Sequence, residues 1–164
     1  MTATARTIRI APTAPRRAVV ALRLATHSDR ARVYAWNNDP EVRARSLDPR
    51  PITPETHVRW FAARMADPLT RMYVVLANGA PIGLVRLQRT DAHAPATISI
   101  VLDAAARGRG IGKAAIELAI RTDGGPVVAE ILETNAESIA CFEAAGFHLI
   151  GGGAGVRLYS WSTP

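Results

Sequence analysis

The sequence predicts an α/β domain: a mixed central sheet of six or seven strands flanked by about four helices. Three observations carry that prediction. Alternating apolar residues mark a hairpin, Arg71–Leu76 and Ile82–Arg89, joined at Asn78-Gly79, the dipeptide of a tight two-residue turn. A strand-like run, Ala96–Leu102, passes through a loop rich in glycine and arginine into a segment with Ile111, Ala115 and Leu118 at helical spacing. The alternation then repeats, with strand Val127–Leu132, a helix from Asn135 to Gly146 and a terminal strand Val156–Trp161.

Residues 1–17 read as a Pro/Ala/Thr/Arg tail, in which Ile8 and Ile10 flank Arg9 and leave a short edge strand or disorder equally open. A single domain follows over 18–164. Ala18–Leu24 is its first strand. Thr26 caps a helix with Asp29 three residues on, and Val33 and Trp36 form the inner face. Asn37-Asn38-Asp39-Pro40 breaks that helix. After a loop over Pro49–Pro54, Thr53 caps a second helix with Pro54 in its first turn. Its buried stripe is expected to be Val58, Phe61, Ala62 and Met65, with Trp60 beside it and Pro68 as its stop. In Ala96–Leu102 the alternation puts Ala96, Ile98, Ile100 and Leu102 on one face. Gly124-Gly125-Pro126 turns the chain into the buried strand Val127–Leu132, which carries one acid, Glu130. In the last helix Ile139, Phe142 and Ala145 face inward. Gly146 suits a left-handed C-terminal cap that folds Phe147 back on Phe142, and Gly151-Gly152-Gly153 reads as a loop.

A chain of 164 residues is long enough for a real core, and 48% apolar with 21% charged residues is ordinary for a globular protein. No apolar run approaches a membrane span. The first residues hold arginines without a continuous apolar stretch, which argues against a secretory signal. One cysteine, Cys141, excludes an internal disulfide and a cysteine-rich zinc site, and makes a reducing, cytoplasmic setting the default. His27, His57, His93 and His148 lack metal-ligand spacing, so no metal site is expected. The net charge of +6 sits almost wholly in the first 28 residues, which hold five arginines and no acid. That arm is either an RNA-binding segment or compositional drift. A single lysine among 20 basic residues favours drift.

The loop after Leu102 is laid out to hold an anion. Bare backbone at Gly108, Gly110 and Gly112 precedes a helix N-terminus, with Arg107, Arg109 and Lys113 adding charge. It is not a Walker loop, since position 107 is Arg and position 114 is Ala. It is not a dinucleotide fingerprint either, since Lys113 stands where the third glycine would fall. Arg-x-x-Gly-x-Gly, Arg107 to Gly112, resembles the pyrophosphate-binding loop of the GNAT N-acetyltransferases, which holds the diphosphate of coenzyme A. A second stretch, Asn135-Ala-Glu-Ser-Ile-Ala-Cys-Phe-Glu-Ala-Ala-Gly-Phe147, resembles the C-terminal motif of the same family. Trp36-Asn-Asn-Asp-Pro-Glu-Val-Arg43 looks like the opening of a branch that acetylates ribosomal-protein N-termini and amino sugars on nucleotide carriers. The resemblance spans roughly residues 18–161.

It implies a mostly antiparallel sheet with a V-shaped splay between two central strands, and acetyl-CoA or another acyl-CoA as cosubstrate. Arg107, Gly108, Arg109, Gly110, Ile111, Gly112 and Lys113 would hold the diphosphate. Ser99, Ile100, Val101 and Leu102 would bind the acyl-pantetheine arm, with Asn135 and Phe142 on the far side. Trp36, Asn37, Asp39, Arg43 and Trp60 would face the acceptor, although the two tryptophans also suit a core and Asn37 and Asp39 a helix end.

Acyl transfer from a thioester to an amine requires a base for the ammonium proton and fixed N–H donors for the oxyanion. Glu130, five residues before Asn135, matches a glutamate that serves as base in some relatives. A carboxylate in a buried strand is also the kind that desolvation suits to that work. Glu133 and Asp103 are alternatives. Where many relatives carry a tyrosine to protonate the departing thiolate, this chain has Phe142, so Ser138 or a water would take that part, or the thiolate would leave unaided. Cys141 reads as structural, because adjacent helical residues face different ways.

The expected function is transfer of an acetyl or other acyl group from acyl-CoA to a primary amine of a small molecule or sugar nucleotide, by direct attack in a ternary complex. Two alternatives stay open: a transferase of the same fold that draws its acyl group from aminoacyl-tRNA, and a non-catalytic acyl-CoA sensor. The acceptor, the acyl group and the oligomeric state, monomer or homodimer, are not fixed by these residues.

Overall fold

The computed structural model describes residues 17–162. The N-terminal tail with Ile8 and Ile10 lies outside them. The sheet has seven strands in the order β1-β2-β3-β4-β5-β7-β6, and every neighbouring pair is antiparallel except β4 and β5. These are β1 (Val20–Leu24), β2 (Thr70–Ala77), β3 (Ala80–Gln88), β4 (Ala96–Leu102), β5 (Val127–Leu132), β6 (His148–Gly153) and β7 (Val156–Trp161). Five helices complete it: α1 (Arg30–Asn37), α2 (Pro40–Ala44), α3 (Pro54–Ala66), α4 (Ile111–Asp123) and α5 (Ala136–Ala144).

Local chemistry fixes the hairpin first. Asn78 and Gly79 both have positive φ, 50° and 82°, as a tight turn between twisted strands demands. The Asn78 side chain also accepts from Val19 N–H at 2.9 Å, which pins the start of β1 to the turn. Period-2 alternation then divides the sheet into two faces. One face carries Val75, Val85, Leu87, Ala96, Ile98, Ala129 and Ile131, and packs on α4 and α5. The other carries Met72, Val74 and Leu84 and packs on Val33 and Trp36 of α1 and Phe61 of α3.

Four expectations require correction. The buried face of α3 is His57 and Phe61, with Trp60 and Met65 partly buried, whereas Val58 and Ala62 face solvent. The stripe is turned by one residue, because the His57 ring docks against Tyr34 and Trp60. On α4 the buried residues are Ile111, Ala115, Ile116, Ala119 and Ile120, while Leu118 lies at the margin. The turn after Trp36 continues into a short helix, α2, because Asp39 accepts from Glu41 N–H and Val42 N–H at 3.0 and 3.2 Å and Pro40 opens it. Finally, Gly151-Gly152-Gly153 is the end of edge strand β6, paired with β7 along its length. Three glycines carry no strand propensity of their own, so the partner strand imposes that conformation.

Asp29 gives the fold its most enclosed charge. It is 1% exposed and takes two 2.8 Å hydrogen bonds from Arg23 and one of 2.9 Å from Thr26 N–H, so β1 is tied to the turn before α1. The Arg23 guanidinium holds the Asp29 carboxyl well below the usual carboxylate range, against the opposing effect of burial. A depressed folded-state pKa adds stability above the unfolded value of about 3.9 and loses it as pH falls below that. Asp29→Asn is expected to cost about 2 kcal/mol at pH 7, less than a fully buried pair because Arg23 is partly exposed. Urea denaturation from pH 7 to pH 3 should show wild type and variant converging in acid.

Candidate active site

The parallel pair β4–β5 is short. Ala96 pairs with Val127 and Thr97 with Val128, and beyond them the two strands part. From Ser99 to Leu102 the β4 main chain still pairs with β3, but its other edge has no ladder partner among the described residues. The result is a V-shaped opening with Ser99, Ile100 and Val101 on one wall and Glu130, Ile131 and Leu132 on the other.

The glycine loop opens directly into it. Gly108 and Gly110 have φ of 69° and 75°, and a Cβ on either would meet nothing within 4 Å, so their backbone lies bare. Gly110 is the N-cap of α4 and brings no capping side chain. The first-turn N–H groups and the positive end of the α4 dipole are therefore left for an external anion. At Gly112 a Cβ would stand 3.0 Å from Cys141 Sγ, so the missing side chain also lets α4 and α5 close on each other. A cleft of about 830 Å³ runs along Gly108, Gly110, Gly112, Lys113, Cys141 and Phe142. Ile100, Val101, Asn135, Ser138 and Phe142 are shared with a second cleft of about 470 Å³ on the far side of the V. The two form one path from loop to acceptor side. These features fit an extended diphosphate ligand: bare amides at one end, an unpaired strand edge in the middle.

Arg107 lines the same cleft, but its guanidinium is already engaged by the protein. Its guanidinium donates to Leu102 O at 3.2 and 3.1 Å and pairs with Asp39, at 3.2 Å, and with Glu41. It is a latch between the end of β4 and the start of α2. Arg109 is exposed, and the Ile111 side chain is buried in the core, so neither side chain lines the cleft. Lys113 lies at the cleft 3.5 Å from Glu117.

On the far side, Asn135 caps α5 by accepting from Ser138 N–H at 3.2 Å. Phe142 is buried and meets Phe147 edge-on at 5.0 Å, as the left-handed turn at Gly146 predicts. Ser138 lines the cleft, and its hydroxyl makes no protein hydrogen bond among the described residues. Cys141 packs between α4 and α5, and burial pushes its thiol pKa up.

Glu130 lines the cleft, but it is exposed, not buried as the surrounding apolar strand suggests. Period-2 alternation turns Val127, Ala129 and Ile131 into the core and Glu130 out of it. Glu133 and Asp103 lie outside both clefts, and Asp103 caps a turn by accepting from Ala105 N–H. Of the residues expected at the acceptor, Asn37, Arg43 and Trp60 line the cleft. Trp36 does not: it is 8% exposed and belongs to the core between α1, α3 and the sheet. Asp39 is taken up by the α2 cap and by Arg107, and its pKa is lowered chiefly by the Val42 N–H. The Arg43 guanidinium holds the following loop, donating to Asp48 O, Arg50 O and Ser46 Oγ.

Among the lining residues that the sequence reading did not place at the site, two carry unusual side-chain environments. His57, set aside there as ordinary, is 2% exposed. Its Nε2 bonds to Arg30 O at 3.0 Å, its Nδ1 has no partner among the described residues, and burial keeps its pKa below the usual histidine range. Arg86, on β3, stands with its guanidinium 5.5 Å from the centre of the Trp60 ring.

A splayed sheet with a bare-amide loop at its mouth is the layout of a site for a ligand that carries a diphosphate. The model of the GNAT acetyltransferase domain matches residues 20–148, and the chain belongs to that family. It is therefore an acyl-CoA-dependent acyltransferase. YwnH of Bacillus subtilis, provisionally named a phosphinothricin acetyltransferase, is 30% identical over 136 residues, covering 77% of this chain and 82% of the relative. Among solved structures, a domain from Methanocaldococcus jannaschii aligns with a TM-score of 0.78 at 22% identity, over 89% of this chain and 99% of that one. Spermidine N-acetyltransferase from Vibrio cholerae, in complex with CoA and spermine, aligns at 0.73 and 18% identity, over 86% and 92%. No helix among the described residues is long and apolar enough to cross a membrane.

Proposed function

We propose that the chain, as one catalytic domain over 18–164, transfers an acetyl group from acetyl-CoA to the primary amine of a small molecule, with amino-sugar nucleotides included in that class. The observation that carries this reading is the continuity of the path from the glycine loop through the β4–β5 opening to Glu130. The names of relatives agree with an amine acceptor, since they include a spermidine and a phosphinothricin acetyltransferase.

Acetyl-CoA, when bound, supplies an acyl thioester. The chain's contribution is to hold and to move protons. Amides at the start of α4, with Lys113, hold the diphosphate. Unpaired main-chain groups of Ser99–Leu102 hold the acyl arm and supply N–H to the developing oxyanion. Asn135 and Phe142 close the opposite side. Glu130 accepts the ammonium proton, directly or through one water, so that the nitrogen lone pair can attack the carbonyl carbon. As the new C–N bond forms and the C–S bond breaks, the nitrogen gives up its second proton, which water or the Ser138 hydroxyl relays to the departing thiolate. An amide and free coenzyme A leave.

Acetyl-CoA offered with a panel of amino acids, amino sugars, polyamines and peptides tests the reading. Thiol release that depends on an amine, with the acetylated amine seen by mass, is the expected result. Release without any amine acceptor would overturn it.

A further inference from the structure

The acceptor cleft is lined by three arginines, Arg43, Arg45 and Arg86, and one acid, Glu130. Arg43 spends its guanidinium on loop carbonyls, and Arg45 pairs with Glu41 and Glu137. Arg86 is different. No hydrogen bond or ion pair reaches its guanidinium among the described residues; its Nε is buried without a partner, as is that of Arg43, but Arg43 has its terminal nitrogens engaged. Trp60 covers one side of it at 5.5 Å, which favours a cation without neutralising it. A partly enclosed guanidinium without an anion is costly unless a ligand provides the anion. Among the described residues, the charged group that perturbs it, Arg64, has the same sign.

Its position is equally specific. In the β3–β4 register Arg86 lies opposite Ser99. Thr97 pairs with Val128, so Glu130 stands two residues further along β5 on that same face. Arg86, Ser99 and Glu130 thus form one row across three strands, with the mouth of the V between cation and acid. A molecule seated there meets a carboxylate at one end and an unpaired guanidinium at the other.

We infer that the acceptor is an amine that also carries a carboxylate, the amine directed to Glu130 and the carboxylate bound by Arg86. Planar, forked guanidinium donors match a carboxylate with two parallel hydrogen bonds. A polycation would bring more positive charge to a cleft in which positive charge already predominates. This assignment rests on the acetyltransferase reading above and adds the substrate class to it.

Matched pairs test it: phenylalanine against phenethylamine, and methionine against 3-(methylthio)propylamine, with spermidine as a polycation, each assayed for kcat/KM with acetyl-CoA. Charge-assisted pairing predicts that the wild type favours the carboxylate-bearing member by roughly 30-fold or more. In Arg86→Met that ratio should fall to within about threefold of one, and Arg86→Lys should restore part of it. A wild-type preference for the decarboxylated amines or for spermidine overturns the inference, and needs no variant to be seen. An equal loss on both members of a pair in Arg86→Met overturns it too. If plain amines are acetylated without preference, only the role of Arg86 falls. If acetyl-CoA binds and no amine of any kind is acetylated, the amine-acetyltransferase reading falls with it.

Discussion

Gly110→Glu is expected to weaken acetyl-CoA binding by about 100-fold or more while leaving the protein folded, as isothermal titration and thermal melting would show. The residue caps α4 from the left-handed region, with open space where a side chain would go. A glutamate there would occupy that space and offer its own carboxylate to the first-turn amides. It would also set a negative charge beside the incoming diphosphate. At a separation of about 4 Å and an effective dielectric constant near 20, one such repulsion is worth about 4 kcal/mol, and loss of the amides adds to it. The penalty for a Cβ in the left-handed region is about 1–2 kcal/mol, and each kcal/mol lowers the melting temperature of a domain this size by about 2–4 °C. Gly110→Ala separates the causes, because it carries the same backbone strain and no charge. It should bind acetyl-CoA within about tenfold of wild type. An equal loss in both variants would assign the effect to loop conformation, and unaltered affinity in Gly110→Glu would remove the diphosphate from this loop.

The order of elements was legible because its signals are local or periodic, whereas the splay of the sheet came only from the family resemblance. Asn78-Gly79 can only turn, alternation in Ala96–Leu102 sorts its side chains between two cores, and glycines before a helical stripe mark an anion-ready helix start. What stayed hidden depends on partners distant in sequence. Arg107 belongs to the anion motif by position, yet its side chain reaches back to Leu102 O and across to Asp39 and Glu41 on α2. Nothing in its own neighbourhood announces α2 as a partner, because Pro40–Ala44 is too short to show a period. Gly112 lines the cleft as its motif position suggests, and its missing side chain also makes room for Cys141, which no local signal announces. In β6 the conformation comes entirely from pairing with β7.

Arg86 is the instructive omission. A lone acid in the apolar strand Val127–Leu132 drew attention to Glu130. A lone base in Gly83–Leu87 is the same kind of signal, a charge whose burial needs a reason, and lies on the same face two strands away. The sequence resemblance supplied a role for the glutamate and none for the arginine, so only one of two equivalent anomalies was followed. Trp36 errs in the opposite direction. It was placed at the acceptor by its motif, but the helical spacing that puts it with Val33 on one face of α1 already explains it as core.

Glu130→Gln should lower kcat by about 100- to 1,000-fold, the usual contribution of one positioned proton acceptor. The amide keeps the size and hydrogen bonding of the carboxylate but takes up no proton at neutral pH. Affinity for acetyl-CoA should stay within about twofold, since Glu130 lines the acceptor side of the path and not the stretch beside the glycine loop. That split between kcat and donor binding separates a proton-transfer role from a packing role, which would disturb both. Glu130→Asp, with the acid retained but drawn back by one methylene, should fall between wild type and Gln. The assignment has little room to drift to a neighbour. Glu41 and Glu137, the other acids along the path, are each engaged by arginines, Asp103 is committed to its turn, and Glu133 lines neither cleft. Unchanged turnover in Glu130→Gln would therefore leave no free carboxylate among the described cleft residues to take the proton, and would point instead to a water or to the His57 imidazole, whose Nδ1 has no partner there.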